Sequence, residues 1–307
     1  MTAVDRGRYR CVLGDLAVTA MKARELGRGN IVVGDTVSLA GDVTGAPGTL
    51  ARVVRVAPRH SVLRRSADDT DPVERAIVAN ADQLLSVTAL ASPTPRLRLI
   101  DRFLVAAYDA GLEPVLCLTK SDLASPEEIL PVYAPLGLRS IVLGRPLSAE
   151  PLDELRDLLA DKISVFVGAS GVGKSTLVNL LIPDADRAVG TVSPVTGRGR
   201  HTSSSAVALR LPGGGWIIDT PGLRSFGLGH MSAANIVAAF PDLAEYLEDC
   251  PPGCGHDKPG CALDAAVGSD GALRARLDSL RRLLHSVEGT PDADPDLDPD
   301  LESGQRD

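Results

Sequence analysis

Ile163-Ser-Val-Phe-Val-Gly168-Ala169-Ser170-Gly171-Val172-Gly173-Lys174-Ser175-Thr176-Leu-Val-Asn-Leu-Leu181 decides how the rest of the chain is read. Five apolar or small residues precede a G-x-x-x-x-G-K-[ST] run, and an apolar, helix-compatible run follows it. That strand, glycine loop, helix order is the context that makes the match a P-loop. Its chemistry follows from the residue types. Glycines let successive N–H groups curl toward phosphate oxygens at a helix N-terminus. Lys174 is expected to neutralise the β and γ phosphates and Ser175 to ligate Mg²⁺, with Gly168 to Gly173 and Thr176 completing the phosphate cradle.

Working outward, short strands alternate with helices from Pro72 to about residue 230. Strands are expected at Gln83–Leu90, Pro114–Leu118, Ser140–Leu143, Ile163–Val167, Ala206–Leu211 and Trp216–Ile218, with helices at Leu97–Ala110, Leu152–Ala160 and Lys174–Leu181. This alternation predicts a mostly parallel sheet covered by helices, with ligands at the carboxyl ends of its strands. Two further strand ends carry chemistry. Asp219-Thr-Pro-Gly222 is a D-x-x-G whose carboxylate can hold Mg²⁺ through water and whose Gly222 amide can sense a γ-phosphate. Thr119-Lys120-Ser121-Asp122 resembles the [NT]-K-x-D guanine reader of GTPases. Guanine presents N1–H and a 2-amino group side by side, so one carboxylate accepts from both, and Lys120 lies against the purine plane.

The order is the unusual feature: the reader (119–122) precedes the P-loop (168–175) and the D-x-x-G (219–222), a circular permutation. New termini at exposed loops of a compact sheet allow it. The D-x-x-G then runs directly into the C-terminal residues, to which its γ-phosphate-dependent movement can be passed.

The flanks differ in charge. The chain of 307 residues carries a formal net charge of −8. Residues 286–307 hold eight acids (Glu288, Asp292, Asp294, Asp296, Asp298, Asp300, Glu302, Asp307) against Arg306 alone. That Pro/Asp tail is expected to be disordered. Residues 1–66 hold eleven bases and five acids, so this segment can face a polyanion. Its β-type runs, at Val12–Leu13, Leu16–Thr19, Asn30–Val33, Thr36–Leu39 and Leu50–Val56, predict a small five-stranded barrel. An OB-type barrel, which commonly binds oligonucleotides, fits the length; an SH3-like barrel has the same pattern. Tyr9 is the one aromatic there, so arginine–phosphate contacts rather than base stacking would carry binding. Arg6, Arg8, Arg10, Arg52, Arg55, Arg59, Arg64 and Arg65 are the candidates.

Residues 232–285 read as helical around Cys250-x₃-Cys254-x-His256-x₄-Cys261. Three thiols and an imidazole within one Gly/Pro-rich loop match a closed, structural Zn²⁺ site. Cys11 and Cys117 sit in apolar strand context and read as core. No apolar stretch approaches the about 18 residues of a membrane span, and the first residues lack a signal-peptide core. A cytoplasmic protein without membrane contact is the expectation.

These features together resemble one family: the circularly permuted small-ribosomal-subunit GTPases, the RsgA or YjeQ group. The resemblance spans about residues 8 to 285 and includes Gly197-Arg-Gly-Arg-His201-Thr202. It implies three units: an OB-type barrel that binds rRNA (1–70), a permuted α/β GTPase domain (71–230) and a helical zinc-binding domain (231–285), followed by the acidic tail (286–307). It implies a protein that binds the small subunit late in assembly and hydrolyses GTP to GDP in response; a monomer is the separate expectation. Two departures stand out. Gly144-Arg145-Pro146 occupies the place of the family's usual Ser-Ala loop, and the metal-ligand spacing is shorter than the commoner version.

Gly190–Ser205 is where a first switch belongs. Thr202 is the candidate second Mg²⁺ ligand, with Thr191 and Thr196 as alternatives. Leu223 stands where many GTPases place a water-orienting glutamine and cannot do that work. Intrinsic turnover is therefore expected to be slow, on the order of 10⁻³ per second. His201 is the candidate water-orienting residue; a solvated loop histidine is the competing reading.

Overall fold

The structure is a computed structural model and describes residues 1–27, 30–65, 75–146, 148–183, 206–220, 233–238, 240–256 and 260–287. Its strands are β1 (Ala3–Asp5), β2 (Arg8–Leu13), β3 (Leu16–Lys22), β4 (Val37–Gly41), β5 (Ala51–Val56), β6 (Val62–Arg65), β7 (Arg75–Ala79), β8 (Gln83–Ala89), β9 (Glu113–Thr119), β10 (Arg139–Val142), β11 (Ile163–Val167), β12 (Val207–Arg210) and β13 (Trp216–Asp219). Its helices are α1 (Leu97–Asp109), α2 (Leu130–Tyr133), α3 (Ala149–Leu159), α4 (Lys174–Leu181), α5 (Ala233–Val237), α6 (Pro241–Ala244), α7 (Ala262–Val267) and α8 (Gly271–Val287).

β10, β9, β8, β11 and β13 lie side by side and parallel, and β12 adds antiparallel to β13. Every residue of β8 is buried, as expected of a central strand covered on both faces. One face packs against α3 and α4 through Leu155, Leu159, Leu177 and Val178. The other packs against α1, whose Ile100, Phe103, Leu104 and Ala107 point inward.

The C-terminal helices share that second core. Ile236, Phe240, Leu263, Leu277, Leu280 and Leu284 join the α1 residues in one apolar cluster. Arg282 on α8 reaches Asp101 on α1 at 3.0 Å, and Arg276 reaches Asp242 at 2.6 Å and the Pro135 carbonyl at 2.8 Å. Asp101 is buried. Desolvation raises its pKa and Arg282 opposes that rise.

The N-terminal strands run β1-β2-β3-β5-β4, with β3 parallel to β5, around a small core of Tyr9, Cys11, Val18, Ala20 and Val53. β1 also pairs with β12 through Ala3 and Val207, which makes the whole an eleven-stranded sheet. β6 pairs with β7, so this ribbon straddles residue 70.

The strand expected at Asn30–Val33 does not form; only a bridge from Val33 to Val78 remains. Gly34, at φ +90°, presses so close to Ala79 that an added Cβ would lie 1.9 Å from its carbonyl oxygen. Buried Asp35 accepts from Val32 N at 2.8 Å and from Arg59 Nε at 2.7 Å. The turn thus draws this segment out of the ladder. It also consumes Arg59, which the sequence suggests for phosphate contact.

Candidate functional site

The P-loop stands where the sequence puts it, between β11 and α4. Gly168, at φ +153°, passes the neighbouring strand so closely that a Cβ would meet the Val87 carbonyl oxygen at 2.3 Å. Gly173, in the left-handed region at φ +103°, opens α4. The Lys174 ammonium is turned onto its own loop, donating to the Gly168 carbonyl at 2.6 Å and the Ala169 carbonyl at 3.1 Å. Desolvation lowers its pKa, and the nearby Asp219 carboxylate partly restores it.

Asp219 closes β13, beside β11. Burial raises its pKa and Lys174 pulls it back. Among the described residues its Oδ1 is buried without a hydrogen-bond partner. A buried, unpaired carboxylate oxygen is costly and calls for a cation or a bound water. This donor set, with the Ser175 hydroxyl one residue beyond Lys174, fits a hydrated Mg²⁺ beside phosphate. Thr220 is held by its hydroxyl on the Phe166 carbonyl at 2.7 Å.

The 119–122 segment follows β9, two strands from the P-loop, and meets it directly. The Thr119 hydroxyl donates to the Val172 carbonyl at 2.6 Å. The Lys120 ammonium donates to the Gly171 carbonyl at 2.9 Å and to the Ser92 carbonyl. Asp122 Oδ1 accepts from the Arg145 amide at 2.8 Å. A cavity of about 420 Å³ is lined by Thr119, Lys120 and Asp122 on one side and by Gly171–Gly173 and Thr176 on the other. That volume falls within the usual range for a small-molecule site. Leu123, Leu143, Leu177 and Leu180 give it apolar walls, and Gly144 and Arg145 close one end.

Sequence reasoning missed the leucines, and it placed the Gly144-Arg145-Pro146 loop without assigning its contacts. The one available signal is a Gly-Arg-Pro turn at a strand end. His201, Thr202, the alternatives Thr191 and Thr196, Gly222 and Leu223 lie outside the described residues, as does the tail from residue 288.

The second cluster lies between α6 and α7. Ligand atoms of Cys250, Cys254, His256 and Cys261 all fall within 4.8 Å of one another. Cys250 Sγ is 3.4 Å from Cys261 Sγ and 3.5 Å from His256 Nδ1. A tetrahedral ion with Zn–S bonds of about 2.3 Å requires S···S edges of about 3.8 Å, so the set fits one Zn²⁺ with little movement. The loop that carries it is fastened from outside. Arg281 donates from Nε to the His256 carbonyl at 3.2 Å and pairs with Asp264 at 2.9 Å. Asp264 also accepts from the Gly260 amide at 2.9 Å, and its carboxyl is held down to about 2, chiefly by Arg281. Neither Asp264 nor Arg281 stands out in the sequence.

The RsgA GTPase family matches residues 56–229. The small ribosomal subunit biogenesis GTPase RsgA of Pseudomonas aeruginosa is 41% identical over 246 residues, 78% of this chain and 71% of that one. The protein of the same name from Shewanella oneidensis is 40% identical over 269 residues, 84% of this chain and 75% of that one. The crystal structure of YjeQ from Thermotoga maritima superposes with a TM-score of 0.64 at 26% identity, covering 89% of this chain and 91% of that one. YloQ, described as a circularly permuted GTPase, has the same fold at a TM-score of 0.66 and 22% identity, covering 94% of this chain and 93% of that one.

Proposed function

The chain belongs to the RsgA GTPase family, whose members use GTP, GDP and Mg²⁺, and from that premise we propose that it acts on the small (30S) ribosomal subunit late in its assembly, hydrolysing GTP faster when the subunit is bound. The observation that carries this reading is the single cavity lined by both Asp122 and the P-loop, two motifs that are distant and rotated in the sequence. The Thr119 to Val172 bond supports it by coupling the two halves.

In this reading Asp122 accepts from the guanine N1–H and 2-amino group, and the Lys120 stem lies along the ring. The Gly168–Gly173 amides and the α4 N-terminus surround the β and γ phosphates. Lys174 exchanges its carbonyl partners for phosphate oxygens. Because it is desolvated, its charge acts through a low dielectric and stabilises the negative charge that builds up during transfer. Mg²⁺, when bound, neutralises phosphate charge; Ser175 and Thr202 would hold it directly and Asp219 through water. Gly222 senses the γ-phosphate, and His201 orients the attacking water once the subunit is bound, the role Leu223 cannot perform.

The remaining units are assigned as the sequence suggests. Residues 1–70 form an OB-type barrel that binds rRNA. The strand order with its parallel β3–β5 pair and the exposed Arg6, Arg8, Arg10, Arg52 and Arg55 support this. Residues 71–230 form the GTPase domain. Residues 231–285 form the zinc-binding domain, with Cys250, Cys254, His256 and Cys261 holding one Zn²⁺, followed by the acidic tail at 286–307. We assign a monomer working in the cytoplasm; no helix among the described residues is long and apolar enough to cross a membrane.

The test is multiple-turnover GTP hydrolysis with and without purified small subunits. Wild type should be slow alone and faster with subunits, and Lys174→Ala should lose about 10³-fold of the stimulated kcat/KM. Unstimulated wild-type turnover, with no co-sedimentation of the GTP-analogue-bound protein with subunits, would refute the reading. His201→Ala with unchanged stimulation would remove that residue's role alone.

A further inference from the structure

A carboxylate that must meet two neighbouring donors on a purine edge works only if its rotation is fixed. Asp122 is on the rim of the cavity, and its nearest neighbour is the loop after β10. That loop is tied down at its start, where Leu143 is bonded twice: its amide donates to the Leu118 carbonyl at 2.8 Å, and its carbonyl accepts from the Ser121 amide at 3.1 Å. The next amide but one, that of Arg145, donates to Asp122 Oδ1 at 2.8 Å. Between them Gly144 crosses the 121–122 backbone with no room to spare. A Cβ on Gly144 would lie 2.6 Å from Ser121 Oγ, 3.2 Å from the Asp122 amide nitrogen and 3.7 Å from Asp122 Oδ1. Gly144 is not among the residues with positive φ, so its requirement is one of space and not of backbone conformation.

We propose that Gly144 and the Arg145 amide are positioning elements for guanine selection: the missing side chain lets the loop close on Asp122, and the amide locks one carboxylate oxygen so that the other faces the base. The inference rests on the assignment of Asp122 as the guanine reader. The loop orients that carboxylate with a main-chain donor and no side chain. A main-chain N–H, here two residues past the ladder bonds of Leu143, has no side-chain rotamer freedom to lose on binding, so it is a stiff support. Bonds to a charged acceptor are the stronger kind.

The measurement is equilibrium binding of GDP and IDP, the latter lacking the 2-amino group, to the full-length protein. Wild type should bind GDP more tightly than IDP. Gly144→Ala should weaken GDP by about tenfold, the worth of one hydrogen bond to a charged group, while weakening IDP much less, so the IDP/GDP ratio falls. The double variant Ser121→Ala/Gly144→Ala, which removes the 2.6 Å obstacle, should recover most of the ratio. A parallel loss for both nucleotides, or no loss for either, would overturn the proposal while leaving the guanine assignment intact. Equal binding of GDP and IDP by wild type would overturn the assignment and the proposal together.

Discussion

The nucleotide pocket and the Cys/His cluster each gather ionisable groups into a small volume, but their surroundings are opposite in kind. At the P-loop, Asp219 Oδ1 has no partner among the described residues, and the Lys174 ammonium rests on two carbonyls of its own loop. Around the cluster, the supporting groups are satisfied. Asp264 accepts from Arg281, Arg274 and the Gly260 amide, and Arg281 also holds the His256 carbonyl. A site that exchanges its ligand has to keep some interaction strength in reserve for it, whereas a permanent site gains by orienting its ligands beforehand. Changes in the pocket should therefore alter chemistry and leave stability nearly untouched, and changes at the cluster should do the reverse.

The most severe test of this contrast is loss of the metal. Cys261→Ser, or chelation of wild type, should remove Zn²⁺ as measured by metal analysis and lower Tm by about 10 °C or more, because metal binding and folding are one free energy in such a module. The effect should extend beyond the loop, since the C-terminal helices share a core with α1. An unchanged Tm would erase the distinction between the two sites.

Next in size is Asp122→Asn. An amide can donate where the carboxylate only accepts, so preference should move from guanine toward xanthine nucleotides. A discrimination on the order of 10⁴ is at stake, because a buried hydrogen-bonding group would otherwise be left unpaired. Its Tm should match wild type; persistent GTP preference would remove Asp122 from the pocket's function.

Smaller again is Asp264→Asn, which spares all four metal ligands. Zn²⁺ affinity, read by competition with a chelator, should fall by about 10- to 100-fold, with GTP selectivity unchanged. A variant that held zinc as tightly as wild type would mean that the outer ring of bonds contributes nothing to the site.

The smallest effect lies between two of the C-terminal helices, α6 and α8. Arg276 beside Asp242 holds that carboxyl below the ordinary 3.8. A lowered folded-state pKa means the pair stabilises the fold above about pH 4 and ceases to do so as the pH falls further and the carboxyl takes up a proton. Asp242→Asn should lower Tm modestly at neutral pH, with the gap to wild type closing below about pH 4. The pair is partly exposed, so solvent screening keeps the effect small. A gap that stayed constant through acid pH would attribute it to packing, for instance of Arg276 over the Phe240 ring at 4.7 Å.

Much of the sheet region was legible because its signals are local. The strand Ile163–Val167 and the helix Lys174–Leu181 have the bounds read from the sequence, since a glycine loop separates two apolar runs of different period. The four Cys/His residues lie within one short loop, so nearness in sequence made them near in space. What failed to show was non-local. The Asn30–Val33 run has strand composition, but Asp35, Arg59 and the Gly34 contact with Ala79 come from other elements and override it. The C-terminal helices read as a separate unit, yet the apolar stripe of α8 is matched by α1, some 170 positions earlier. Gly144 and Arg145 mark a departure from the family's usual Ser-Ala, but what they touch is legible only once the Arg145 amide is placed on Asp122.

By itself the sequence determined the chemical vocabulary: a phosphate cradle, a carboxylate suited to guanine, a Mg²⁺-type aspartate and a four-ligand metal set. Each is a short run whose meaning depends on residue type and spacing. Only the tertiary structure decided that the 119–122 segment and the P-loop line one cavity and that Asp219 comes near Lys174, because their meeting depends on β9, β8, β11 and β13 lying parallel in that order. Strand order is set by the burial of whole faces, a property of the assembled sheet that no single segment carries.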